Sequence, residues 1–221
     1  MVVGLAAGLV ASVGASHTFT DAGAGSLWST PGNWDQGTLP GTGDWVKIRN
    51  GLVVTIETPG AESKKTHIGY EGGTLNMNGG TLLTSGDDLL LGKNGGLGIL
   101  NMNSGTITVG KDLEVADSFD GTLNMTNGTI IVGDDFVIGN GGTGIVNLDG
   151  GLIAVDGTYE GDSVLEMTAD GSLNIHGGTV SITGRVDLGG RRIINKWQDG
   201  ELFISYISSN ELVTFISDGK I

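Results

Sequence analysis

The sequence predicts an all-β chain wound as a single right-handed parallel β-helix of about six to seven turns, with distinct N- and C-terminal caps. Three observations predict it. A ten-residue pattern recurs five times at near-constant spacing, apolar residues alternate with polar ones inside every copy, and 42 of the 221 residues are glycine. That is nearly three times the usual usage of about 7%.

The copies align without gaps: GTLNMNGGTL at 73–82, GILNMNSGTI at 98–107, GTLNMTNGTI at 121–130, GIVNLDGGLI at 144–153 and GSLNIHGGTV at 171–180. Measured between Leu75, Leu100, Leu123, Val146 and Leu173, the steps are 25, 23, 23 and 27 residues, the length of one solenoid turn. Within a copy Leu75 and Met77 point one way and Thr74 and Asn76 the other, the period of a half-buried strand. Asn78-Gly79-Gly80 then supplies a corner, because glycine tolerates positive φ. A second strand follows, with Leu82 and Thr84 inward. The third begins with glycine and acid, as in Gly86-Asp87-Asp88-Leu89, and its column continues through Val186 and Leu188. Helices are excluded: glycine costs about 1 kcal/mol per residue relative to alanine in a helix, and no 3.6-residue stripe survives. No single turn buries its own apolar face, so the array folds as a unit about 30 Å long, from the strand spacing.

The ends differ from the middle. Residues 1–20 form an apolar segment, VVGLAAGLVASVGA at 2–15, too short to span a bilayer as a helix. It reads either as a secretory signal with Val13-Gly14-Ala15 as its cleavage site, or as a retained arm lying across its own chain or a neighbour. Residues 21–44 are expected to cap the coil: all three prolines and three of the four tryptophans fall within residues 28–59. The repeats proper are expected over 45–192, starting with Trp45 to Ile56. A second cap is expected over 193–221.

Eleven Lys and Arg against 25 Asp and Glu give a net charge of −14, which disfavours nucleic acid and anionic membranes as partners. No cysteine is present, so disulfides, thiolate metal sites and cysteine catalysis are excluded.

The GTLNMNGGTL pattern resembles repeats of large exported bacterial proteins, namely autotransporter-like passenger regions and surface proteins of Planctomycetes and Verrucomicrobia. Asn33-Trp34…Leu39-Pro40-Gly41…Asp44 is similar to the entry of such repeats, and Tyr206-Ile207…Leu212-Val213-Thr214-Phe215 to a segment that follows them. The resemblance covers about residues 26–216. It implies an exported, extracellular β-solenoid with a structural or adhesive role, and specifies no reaction.

Two polar columns are candidate sites. Asn76, Asn101, Asn124, Asn147 and Asn174 should point outward and bond to one another along the axis. Together with neighbouring threonines they alternatively form a carbohydrate-binding strip. Asp88, Asp112 and Asp135 occupy equivalent corners, with Asp87, Asp134 and Lys111 alongside. Like charges one strand apart repel by about 1 kcal/mol in water and several at an effective dielectric near 20. Turn N–H groups, Lys111 or a divalent cation such as calcium must offset this.

Catalysis is not expected. Between residues 66 and 184 the bases available are Lys93, Lys111, His67, His176, Tyr70 and Tyr159, and Lys93 and Lys111 occupy different repeat positions. Adjacent Asp134 and Asp135 diverge on an extended chain. His176 replaces the corner residue Asn78. The basic cluster Arg185, Arg191, Arg192 and Lys196 contrasts with the acidic body; it reads as solvated surface near the C-terminal cap, with a partner site as the alternative, in which the charge asymmetry favours head-to-tail contact. The expectation is therefore a secreted structural protein of the cell surface or matrix, without a resident cofactor, that self-associates into filaments or arrays. A glycan-binding or adhesive module is the alternative, and a polysaccharide lyase or hydrolase comes third.

Overall fold

A computed structural model describes residues 14–23, 25–157, 164–168, 170–188 and 193–204. The strands, in chain order, open with β1 (Ser16–Thr18), β2 (Trp45–Arg49), β3 (Leu52–Ile56), β4 (Ala61–Ser63), β5 (Lys65–Tyr70) and β6 (Gly73–Thr84). There follow β7 (Leu89–Lys93), β8 (Gly98–Val109), β9 (Leu113–Val115), β10 (Gly121–Met125), β11 (Thr129–Val132) and β12 (Phe136–Ile138). The last are β13 (Gly144–Leu148), β14 (Leu152–Val155), β15 (Val164–Met167), β16 (Gly171–Ile182), β17 (Arg185–Leu188) and β18 (Ile193–Ile204). All pair in parallel with the equivalent strands of neighbouring turns, giving a β-solenoid of about 6 turns.

Two sheets form the wall. One stacks β1, β2, β5, β7, β9, β12, β15 and β17. The other holds the repeat strands, from β3 and β4 through β6, β8, β10 with β11, β13 with β14, and β16 to β18. The expected break between first and second strands is replaced by a bend in β6, β8 and β16, which run twelve residues through it. The bend falls on glycine: Gly80, Gly105, Gly128, Gly151 and Gly178 all have positive φ. A Cβ on Gly128 would also lie 2.8 Å from the Gly105 carbonyl oxygen, and one on Gly151 2.7 Å from that of Gly128. Conformation and close stacking thus demand the same residue.

The interior is aliphatic and continuous. Leu75, Leu100, Leu123, Val146 and Leu173 lie in register one above the next, each fully buried, and Ile194 continues the column. Met77, Met102, Met125, Leu148 and Ile175 form a second column. Each such side chain contributes roughly 1.5–3 kcal/mol on burial.

Trp28, Trp34 and Phe19 are buried against the N-terminal end of this core. Trp34 meets Trp28 and Phe19 edge-on at 4.8 and 5.2 Å, and its indole N–H donates to the Trp28 carbonyl. Strand edges are covered too: the Thr55 N–H donates to Ser26 and the Trp28 N–H to Thr55, while β1 pairs along β2.

Two boundaries move. Ser16–Phe19 belongs to the folded body and not to the expected 1–20 segment, because β1 pairs with β2 and Phe19 is buried. The coil also runs past residue 192: β18 stacks on β16 as another full strand through Ile204, where a separate cap was expected. Its glycines are fewer, but its inward apolar positions keep the register. Residues 1–13, on which the signal or arm reading falls, and 205–221, including the Tyr206–Phe215 resemblance, lie outside the described residues, as do Tyr159, Arg191 and Arg192.

Candidate functional site

The parallel register brings each predicted polar column onto one face of the coil. On the repeat sheet, Asn101 Nδ2 donates to Asn76 Oδ1 at 2.9 Å, Asn124 to Asn101 at 3.0 Å, Asn147 to Asn124 at 2.9 Å and Asn174 to Asn147 at 2.9 Å. All the amides therefore point the same way along the axis. Thr55 precedes the ladder in register and Asn195 follows it. Asn195 was missed in the sequence, although Ile193-Ile194-Asn195 matches Ile99-Leu100-Asn101. At the bend, Asn103 Nδ2 donates to Asn78 Oδ1 at 2.9 Å. Two and three turns on, the same position holds Asp149 and His176, with His176 Nδ1 2.8 Å from the Asp149 carboxylate.

The acidic corner lies on the other sheet. The N–H groups of Thr66, Leu89 and Leu113 donate to the carbonyls of Asp88, Asp112 and Asp135, one turn away in each case, so these three acids are stacked. Asp112 Oδ1 accepts the Asp135 N–H and Asp135 Oδ1 the Val164 N–H. Lys65 reaches Asp87 at 3.0 Å and Asp88 at 2.6 Å, and Lys111 reaches Asp112 at 3.5 Å. Lys65 is a partner the sequence did not suggest. It lies 23 residues from Asp88 and becomes its neighbour only through stacking.

Carboxylate oxygens of Asp88, Asp112 and Glu114 lie within 4.8 Å of one another, as do those of Asp112, Asp134 and Asp135, so Asp134 and Asp135 converge where divergence was expected, because the chain bends at Gly133–Asp134. These are the residues with the oxygen chemistry to hold a divalent cation. Burial, then the charge of Asp134, pushes the Asp135 carboxyl up to about 6. Burial likewise raises Glu114, which projects between Leu90 and Val137.

A third cluster, unrecognised as such in the sequence, occupies the N-terminal part of the same face. Trp45, Lys47 and Arg49 from β2 stand beside Lys65, His67 and Tyr70 from β5 and Lys93 from β7. His67 and Tyr70 lie parallel at 6.0 Å, Trp45 is 6.5 Å from His67, and Lys47 Nζ sits 5.2 Å from the Tyr70 ring centre. Arg49 pairs with Glu71, and Lys93 with Asp117 at 2.5 Å. His67 is only 8% exposed, and neither ring nitrogen has a hydrogen-bond partner among the described residues. Burial, then Lys65 and Lys93, drives its pKa down to about 4. The cluster is hidden in sequence because its equivalent positions hold unlike residues, Trp45 with Lys65, Lys47 with His67 and Arg49 with Tyr70 and Lys93. The extra residue Gly69, between Ile68 and Tyr70 and at positive φ, brings the Tyr70 ring to the side of His67.

A cavity of about 70 Å³ lies under the cap between Trp28, Leu39, Thr55 and Pro59, small beside a typical ligand pocket of about 300–1,000 Å³. Among the described residues, no helix is long and apolar enough to cross a membrane. No family model, curated protein or solved structure matches this chain.

Proposed function

We propose that this protein is an exported structural rod of the cell surface or extracellular matrix that assembles with copies of itself. The observation that carries this reading is axial continuity. The same aliphatic columns and the same Asn-to-Asn hydrogen bond repeat through successive turns, which makes a stiff body of uniform section. The ionisable groups support it: the corner acids are engaged by backbone N–H groups and lysines, and His176 is paired with Asp149. A general base poised over a cleft has no counterpart among these arrangements. Export is supported by the small, apolar 2–15 segment and by the repeat resemblance. Negative-stain images of the purified protein should show filaments or arrays that grow with concentration. Uniform single particles at high concentration would overturn the proposal.

A second reading has its own support. Trp45, His67 and Tyr70 supply the aromatic platform for sugar stacking that the Asn and Thr strip lacks. It requires Trp45→Ala to abolish binding on a glycan array.

A further inference from the structure

Apart from His176 at the bend, β6, β8, β10, β11, β13, β14 and β16 contain no titratable side chain, in a protein of net charge −14. Acidic and basic groups gather instead on the other sheet, at the corners and at the two ends of this one, with Glu62 in β4 and Lys196, Asp199 and Glu201 in β18, so the middle of the repeat sheet is an uncharged strip. That strip is also corrugated. Down one outward column the residues are Val53, Thr74, Ile99, Thr122, Ile145 and Ser172, alternately tall and short in register. Successive isoleucines are two strand spacings apart, about 9.6 Å. Alongside runs the Asn ladder, whose amides already bond to one another.

We infer that the uncharged face of the repeat sheet is a lateral docking surface for a second copy of this chain, packed face to face. This rests on the reading of the protein as a self-associating rod and specifies how the rods meet. Two copies with the same negative charge repel wherever charged surfaces approach, and this face is where they can touch without bringing those charges together. A second copy has the same axial period. Turned about a two-fold axis, it sets its Ile99 and Ile145 into the short Thr and Ser positions opposite, the self-complementarity an isologous interface needs. Interdigitated β-branched columns beside amide ladders are the elements of a dry sheet-to-sheet contact. A glycan is the poorer occupant, because these strands carry no aromatic residue.

The flat facet is limited in area. Five turns at about 4.8 Å and five residues at about 3.3 Å give about 400 Å² per copy. That is half the roughly 800 Å² per partner of a standard interface, so a single pair is weak and concentration-dependent. The facet beyond the bend offers a second contact, and rods joined on both facets hold together by avidity.

The test is sedimentation of the purified protein across concentration, with Ile145→Lys and Thr122→Lys as face variants and Phe119→Lys as control. Phe119 is 46% exposed at the corner that precedes β10, outside the Ile and Thr column, where with Leu97 it offers a competing apolar contact. Wild type should self-associate, more so as salt rises from about 0.05 to 0.5 M and screens the flanking acids. Each face variant should weaken association at least tenfold, with an unchanged β-type circular dichroism spectrum, while Phe119→Lys behaves as wild type. Thr122→Lys keeps the test valid if Ile145→Lys fails to fold. Folded face variants that associate as wild type, or loss of association in Phe119→Lys alone, would overturn the lateral face. If such particles still form end-to-end filaments, the structural reading survives. A wild type that stays monomeric throughout would remove both.

Discussion

His67 shows how one residue can work against its surroundings. Its outward position is covered, its neighbours include Lys65, Lys93, Lys47 and Asp117, and both ring nitrogens go without a partner among the described residues. With a folded pKa of about 4 against 6.5 unfolded, the unfolded chain takes up a proton first as pH falls. Stability from this group is complete above about 6.5 and shrinks as pH falls toward 4, by about 2 kcal/mol at pH 5. Asp135, raised to about 6, works in the opposite sense: its folded form gains the proton first, so acidification relieves it. The two are separated by comparing variants at each pH. His67→Leu, which copies the neighbouring turn's Leu90, should raise the melting temperature at pH 8 and raise it further at pH 5. An equal gain at both values would contradict the assigned pKa. Glycines divide just as sharply. Gly128→Ala combines positive φ with a Cβ 2.8 Å from a backbone oxygen and should cost about 3 kcal/mol in denaturant unfolding. Gly86→Ala, with open space and ordinary φ, should be neutral or stabilise by about 0.5 kcal/mol.

At the scale of the element, the Asn ladder behaves as a chain of donors and acceptors. An inner amide both gives and receives an axial bond; Asn76, at the first turn of the ladder, receives one from Asn101. Asn124→Ala therefore strands the Asn101 oxygen and the Asn147 amide together, in a half-buried column. It should cost about 2 kcal/mol, and Asn76→Ala about half that. Equal losses in chemical denaturation would mean that the column acts as independent side chains and not as a ladder. The corner acids form the complementary element. There like charges are stacked, and the backbone N–H groups of the next turn, with Lys65 and Lys111, hold them in place.

Across the whole molecule, charge and periodicity are segregated. The middle of one sheet carries the regular repeat and, beside His176, no titratable group; the other sheet carries aromatic rings and cations near the N-terminal end and acids farther along. A rod built this way has a side suited to regular contact and a side suited to solvent or small partners. Its N-terminal end is covered by the tryptophan cluster and by β1, which limits strand addition there.

What the residues alone determined was the winding and the lining of the coil. A period-two alternation repeated every 23 to 27 residues leaves one way to bury the inward Leu, Ile, Val and Met positions of every copy at once, and it also puts the five asparagines in one line. Tertiary structure decided what meets between turns where equivalent positions hold unlike residues. Lys65 under Asp88, and the rings of Trp45, His67 and Tyr70 side by side, depend on a local bulge and on the start of stacking. The ends were likewise settled in three dimensions. Ser16–Thr18 and Ile193–Ile204 lack the glycine motif, yet they pair because an open strand edge needs hydrogen-bond partners whatever the side chains are.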